Sequence, residues 1–213
     1  MTFERLTTGR LASTLRARAT GIAILLAIPP TLAVAGGGAW AAYLQLTGNF
    51  HAVRERVVYR SNTLSPEMLD RVVREEGIRA VLNLRGANPG RDWYRAEATV
   101  LERAGVRLID FPLSANRELT DRQIRNLVTL LRRSPKPLLI HCQSGSDRTG
   151  LAAALYGLAI AGQPADAASG QLSFAYGHFP WLWSRSGAMD RTFQRAVEVP
   201  ALIAPANGRG GSP

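Results

Sequence analysis

The sequence predicts an α/β domain on a central, mainly parallel sheet flanked by helices, preceded by an N-terminal transmembrane helix. Three observations lead there. Short apolar runs alternate with amphipathic stretches from about residue 57 to 199. The run Pro137-Leu138-Leu139-Ile140 passes through a tight Gly/Ser loop straight into an Ala- and Leu-rich stretch. Residues 19–53 contain no Asp, Glu, Lys or Arg.

The N-terminal part divides first. Residues 1–19 are basic, with Arg5, Arg10, Arg16 and Arg18. Residues 20–46 are mostly apolar and exceed the roughly 20 residues that cross a bilayer. An uncleaved anchor is one expectation. It is single-pass, with its basic end left in the cytoplasm and the remainder on the non-cytoplasmic side. Ala33-Val34-Ala35, after the helix-breaking Pro29-Pro30, has the small-x-small form of a signal peptidase site, so a secreted or periplasmic product is the second, and a buried soluble helix the third. Arg54, Arg56 and Arg60 beyond the segment weaken the orientation signal.

The folded domain is expected over 49–199. Val57 to Arg60 reads as the opening strand. Ser65-Pro66-Glu67 supplies an N-cap and a first-turn proline for a helix to Glu76, stopped by Gly77. Ile78 to Leu84 is the next strand, followed by the turn Gly86 to Gly90, a helix from Asp92 to Ala104 and a strand from Val106 to Phe111. Thr120 caps a helix to Arg133, and the strand at 137–140 leads through residues 142–148 to a helix from Thr149 to Ala161. Beyond it, Pro164 to Tyr176 is predicted helical, and His178-Phe179-Pro180-Trp181-Leu182-Trp183 is expected as core packing, with an interfacial membrane contact as the alternative. Asp190 to Val199 is read as a last helix and Pro200 to Pro213 as a disordered tail.

Strand, tight loop and helix at 137–161 form an anion site by construction. The amides of Gln143, Ser144, Gly145, Ser146, Asp147 and Arg148 can converge on a phosphate at the helix N-terminus. Cys142, the only cysteine, stands at the loop's start. Helix dipole, loop amides and the Arg148 guanidinium all favour its thiolate. Arg148 can grip two phosphoryl oxygens with its planar fork, Gly145 lets the backbone approach the oxyanion, and Thr149 can stabilise the departing thiolate. A lone cysteine forms no intramolecular disulfide, and Cys chemistry needs no metal or other cofactor; no Cys/His metal spacing exists.

His141-Cys142, five residues, then Arg148-Thr149 resembles the signature of the cysteine-based protein phosphatases. Over about Asn49 to Val199 the chain is similar to the dual-specificity branch, especially its compact bacterial members. The resemblance implies a dual-specificity-phosphatase-like fold, Cys142 as nucleophile, Arg148 as phosphate ligand, His141 as loop support and hydrolysis through a phosphocysteine. It also implies a leaving-group acid a few residues past Phe111-Pro112, where this chain has Ser114, Ala115 and Asn116. Asp110, Glu118, Asp121 and Asp147 are the candidates. Asp147 matches the late loop Asp of myotubularin-type lipid phosphatases, and Asp110 is the alternative that ends its strand.

Arg85 and Arg91, near the end of the second strand, can reach a second phosphate or an acidic side chain. The net charge of +10 comes almost wholly from arginine, Lys136 being the only lysine. That charge suits phosphorylated substrates or anionic lipid, and no cluster of basic and stacking aromatic residues points to nucleic acid. The expected activity is a phosphomonoesterase on phosphotyrosine proteins. A phosphorylated lipid or phosphoinositide is the second substrate class, and a phosphate-binding module with little turnover is the reading from outside the enzymes.

Overall fold

The computed structural model describes residues 36–180, 185 and 187–205. The chain separates into two compact units, 1–43 and 44–213. In the first, the described residues are helical and Trp40 stacks on Tyr43 at 5.4 Å. Residues 36–46 are assigned helix (α1). Most of the segment predicted as an anchor or signal lies outside the described residues. Among those described, no helix is long and apolar enough to cross a membrane.

The second unit carries a five-stranded sheet in the order β1-β2-β5-β3-β4, with β1 (His51–Arg54), β2 (Val58–Ser61), β3 (Ala80–Asn83), β4 (Arg107–Asp110) and β5 (Leu138–His141). Every pairing is parallel except β1 with β2. Strand β1 is absent from the sequence reading for a physical reason. It is a half-exposed edge strand with a register irregularity between Ala52 and Arg54, so it shows neither apolar alternation nor a continuous apolar run. The turn after it places Arg56 at φ 59°, a conformation usually left to glycine or asparagine.

Alternate strand residues feed two cores. Val58, Leu82, Leu138 and Ile140 meet the apolar faces of α4 (Asp121–Arg133), α5 (Asp147–Ala159) and α7 (Gly187–Glu198). Tyr59, Val81 and Leu139 meet α2 (Pro66–Glu75) and α3 (Asp92–Arg103). The predicted caps are in place: Ser65 Oγ accepts the Met68 amide, and Thr120 and Gln123 form a reciprocal capping box. Helix α5 differs from the others because Thr149 to Gly157 are all buried, so its apolar character runs around the whole helix.

Two C-terminal expectations are corrected. Pro164 to Tyr176 is not one helix: α6 (Ala165–Ser169) ends at Gly170, and a separate 3-10 turn, Phe174–Tyr176, is closed by Gly177 at φ 77°. The tail predicted from Pro200 begins instead with a 3-10 turn, Pro200–Leu202, that buries Leu202 in the core of α4, α5 and α7. Residues 206–213 and 181–184, including Trp181 and Trp183 of the aromatic run, lie outside the described residues.

Candidate active site

The parallel register aligns Ser61, His141, Asn83 and Asp110 in one row at the carboxyl edge of the sheet. The chain leaving each of these four strand ends therefore starts from the same edge, where open α/β sheets place their ligands. From β5 the backbone turns through residues 142–146 into α5. Its N-cap, Ser146, makes no side-chain cap hydrogen bond, so the first amides of α5 are left for an anion.

A collar of donors fixes the loop from outside. Thr63 Oγ1 donates to Cys142 O at 2.9 Å, and the Thr63 amide donates to Gln143 O at 3.3 Å. Asn49 Nδ2 donates to Ser144 O at 3.1 Å. Arg60 Nη2 donates to Gly145 O at 2.8 Å and reaches Ser146 O at 3.5 Å. Every carbonyl from 142 to 146 is thus drawn outward. None of the amides from Gln143 to Ser146 donates to another of the described residues. Peptide planarity turns an amide away from its neighbour's held carbonyl, so the collar aims these donors into the loop's interior. Gly145 is required here: at φ 76°, a Cβ would stand 2.8 Å from the Ser61 carbonyl and the Asn62 amide, which are backbone and cannot give way.

Cys142 lies at the base of this loop, 1% exposed. Arg60 is wholly buried beneath it, its guanidinium bonded to neutral acceptors: the Gln171 carbonyl at 2.8 Å, Gln171 Oε1 at 2.7 Å and the loop carbonyls. It also stacks 3.8 Å from the Tyr176 ring centroid. Burial lowers its pKa to about 10, so it is charged at neutral pH. Arg148 enters from α5. Its Nη1 donates to Leu84 O at 3.4 Å and Leu113 O at 3.3 Å, while its buried Nε has no partner among the described residues. A guanidinium anchored at one end with a donor left over is arranged to receive an oxyanion.

Of the two outlying arginines, the fold brings Arg85 to this edge. It donates to Thr63 Oγ1 at 2.9 Å and lies 3.4 Å from the Trp93 ring centroid. Burial first, then the Arg148 charge, push its guanidinium below its ordinary pKa. Arg91 is exposed at the N-cap of α3.

The four candidate acids are separated by their partners. Asp110 has both oxygens engaged, Oδ1 accepting from Asn83 Nδ2 at 2.8 Å and Oδ2 from the Tyr94 hydroxyl at 2.6 Å; that bond, with burial, raises Tyr94 to about 12. Glu118 pairs with Arg191, and Asp121 pairs with Arg195 at 2.8 Å. Asp147 Oδ1 lies 2.7 Å from Nδ1 of the buried His178, whose Nε2 lies 2.9 Å from Asp190 Oδ2. Asp147 Oδ2 makes no hydrogen bond among the described residues.

His141 supports the loop from behind: its Nε2 is 2.7 Å from the buried Glu97 carboxylate of α3, and its Nδ1 is 3.4 Å from Cys142 O. Thr149 Oγ1 is buried with no partner among the described residues. Sequence reasoning missed Asn49, Arg60, Thr63 and the His178–Asp190 pair, and it read His178 as part of an aromatic cluster for core packing or an interfacial membrane contact.

A family model described as the tyrosine phosphatase family matches residues 42–169. No curated protein sequence matches the chain. Solved structures share the fold. TpbA of P. aeruginosa is 22% identical, with a TM-score of 0.57 over 74% of this chain and 89% of TpbA. The catalytic core of the PP-IP phosphatase SIW14 from S. cerevisiae is 16% identical, with a TM-score of 0.54 over 73% of this chain and 94% of that one. PTPMT1 is 15% identical, with a TM-score of 0.54 over 71% of this chain and 98% of PTPMT1.

Proposed function

Because this chain belongs to the tyrosine phosphatase family, we propose that it hydrolyses phosphate monoesters through a phosphocysteine on Cys142, with phosphotyrosine proteins as its first substrate class. The observation that carries this reading is the collared loop: carbonyls 142–146 are held outward and the amides of 143–146 are left for an anion above the cysteine. In the first step Cys142 Sγ attacks phosphorus in line, the bond to the leaving oxygen breaks, and Asp147 gives that oxygen a proton. In the second, water attacks the phosphocysteine, Asp147 takes the water's proton, the S–P bond breaks and phosphate leaves. Loop amides and Arg148 bind the phosphoryl oxygens through both steps. Asp147 is favoured as the acid because it alone of the four combines a place inside the loop with an unengaged oxygen.

The test is turnover on a phosphotyrosine peptide. A solved complex of TpbA with pTyr makes this the natural first substrate. Binding of the peptide with neither tyrosine nor phosphate released would identify the chain as a binding module.

Arg85 supports a second substrate reading. Its guanidinium shares the carboxyl edge with Arg148 and feels that charge, so a substrate bearing further anionic groups, such as a phosphoinositide, gains an additional contact. On that reading Arg85→Gln raises KM about tenfold for a multiply phosphorylated substrate and leaves a mono-phosphorylated aryl ester nearly unchanged. Equal effects on both would remove Arg85 from substrate recognition.

The N-terminal segment over 20–46 is proposed as a single-pass anchor that leaves the catalytic domain on the non-cytoplasmic side. Full-length protein is then expected in the membrane fraction, and a chain beginning at Thr47 in the soluble one. An uncleaved full-length chain in the soluble fraction would refute the anchor. A shortened soluble chain would show cleavage near Ala35.

A further inference from the structure

His178 joins the loop to solvent through two carboxylates. Its imidazole is fully buried, while the side chains of Asp147 and Asp190 on either side are 25% and 40% exposed. The His178 amide donates to Ser173 O at 3.1 Å. Gly177, at φ 77°, brings the backbone so near the loop that a Cβ there would stand 3.0 Å from Ser146 Oγ. His178 is thus set against the phosphate loop by its own segment as well as by its ring.

We propose that His178, as an imidazolium held between Asp147 and Asp190, is a positioning residue for the leaving-group acid: it engages Asp147 Oδ1, leaves Oδ2 as the proton-bearing oxygen, and stabilises the carboxylate formed when that proton departs. This rests on Asp147 being the acid. Both ring nitrogens are within hydrogen-bond distance of a carboxylate oxygen, and only the doubly protonated ring can donate to two acceptors at once. Burial works against the charge, but the bonds to Asp147 and Asp190 outweigh it and raise the His178 pKa. The charged groups facing the ring are Asp147 from α5 and Asp190 from α7; Asp166 of α6 lines the pocket that Asp190 also borders.

The proton balance closes without consuming the imidazolium. Asp147 Oδ2–H gives its proton to the leaving oxygen, and the resulting anion is paired with Nδ1–H. When water attacks the phosphocysteine, its proton returns to Oδ2. The bond to Asp147 is the first of those that keep the ring charged, and Asp190 partly offsets the ring's effect on Asp147.

His178 and Asp190 therefore shift the pH profile in opposite directions. His178→Gln removes a positive charge beside Asp147, so the alkaline limb of kcat for phenyl phosphate moves up by about one pH unit. Its plateau falls about 10- to 100-fold, and p-nitrophenyl phosphate, whose leaving group needs no proton, loses much less. Asp190→Asn removes a negative charge from the array and moves the limb down. Because Asp190 is 40% exposed, this variant provides the test even if His178→Gln does not fold. In an Asp147→Asn background, which should itself slow phenyl phosphate about 100-fold, His178→Gln costs little more. Equal losses on both esters with the limb unmoved in His178→Gln and Asp190→Asn would overturn the proposal while leaving Asp147 as the acid. Equal losses on both esters in Asp147→Asn would overturn the acid assignment itself, and the proposal with it.

Discussion

Cys142→Ser should reduce turnover of any phosphate monoester by about 10⁴-fold or more, with the chain still folded and still binding its substrate. The thiol stands at the base of a loop whose amides are left for the phosphoryl group it would attack. A serine hydroxyl at the same position remains protonated and cannot attack. The loop carbonyls are held by Asn49, Arg60 and Thr63, none of which contacts the Cys142 side chain through these bonds, so the anion cradle persists in the variant. Calorimetry with a phosphotyrosine peptide should therefore give a Kd within about tenfold of wild type. Turnover near wild type would remove Cys142 as nucleophile. Loss of binding together with turnover would make it a structural residue of the loop.

Cys142 and its loop were legible because their constraints are local in sequence. A buried strand, a glycine at positive φ and a helix start follow one another within residues 138–147. Helix boundaries came from capping chemistry at Ser65 and Thr120, again within a few residues. Strand β1 and the C-terminal turns were not legible. An irregular edge strand has no apolar period, and the early stop of α6 is set by Gly170 within an otherwise helix-compatible Ala-rich stretch.

The collar was hidden for a different reason. Asn49, Arg60 and Thr63 lie 95, 85 and 79 residues from the loop atoms they hold: the register of β2 beside β5 brings Arg60 and Thr63 there, and Asn49, ahead of β1, follows Gly48, whose carbonyl accepts the Asn62 amide at 2.8 Å. Arg60 falls inside the predicted opening strand, where an arginine reads as an outward-facing residue. Instead it is buried, and its charge is answered by neutral acceptors and the site itself. Buried arginine in a central strand was the one signal available, since long charged side chains are almost never fully buried without a specific partner. His178 is similar: within an aromatic run its bulk suggested packing, and the two aspartates that give it a role come from α5 and α7.

Arg148→Lys should cost about 10³-fold in kcat/KM while leaving stability nearly unchanged. The guanidinium uses one end on Leu84 O and Leu113 O, and its Nε edge stays buried and unbonded among the described residues. Only a planar group with separated donors can hold those carbonyls and meet two phosphoryl oxygens at once. A lysine ammonium is a single point: bonded to the carbonyls it falls short of the phosphate, and bonded to the phosphate it abandons them. The loss should appear mainly in kcat, because charge on the equatorial oxygens rearranges as the transition state forms and a preorganised fork follows it. Arg148→Ala should then be only modestly worse than Arg148→Lys. If lysine instead restores most of the activity, plain charge is what the site needs, and the bidentate role argued from the free Nε edge is wrong.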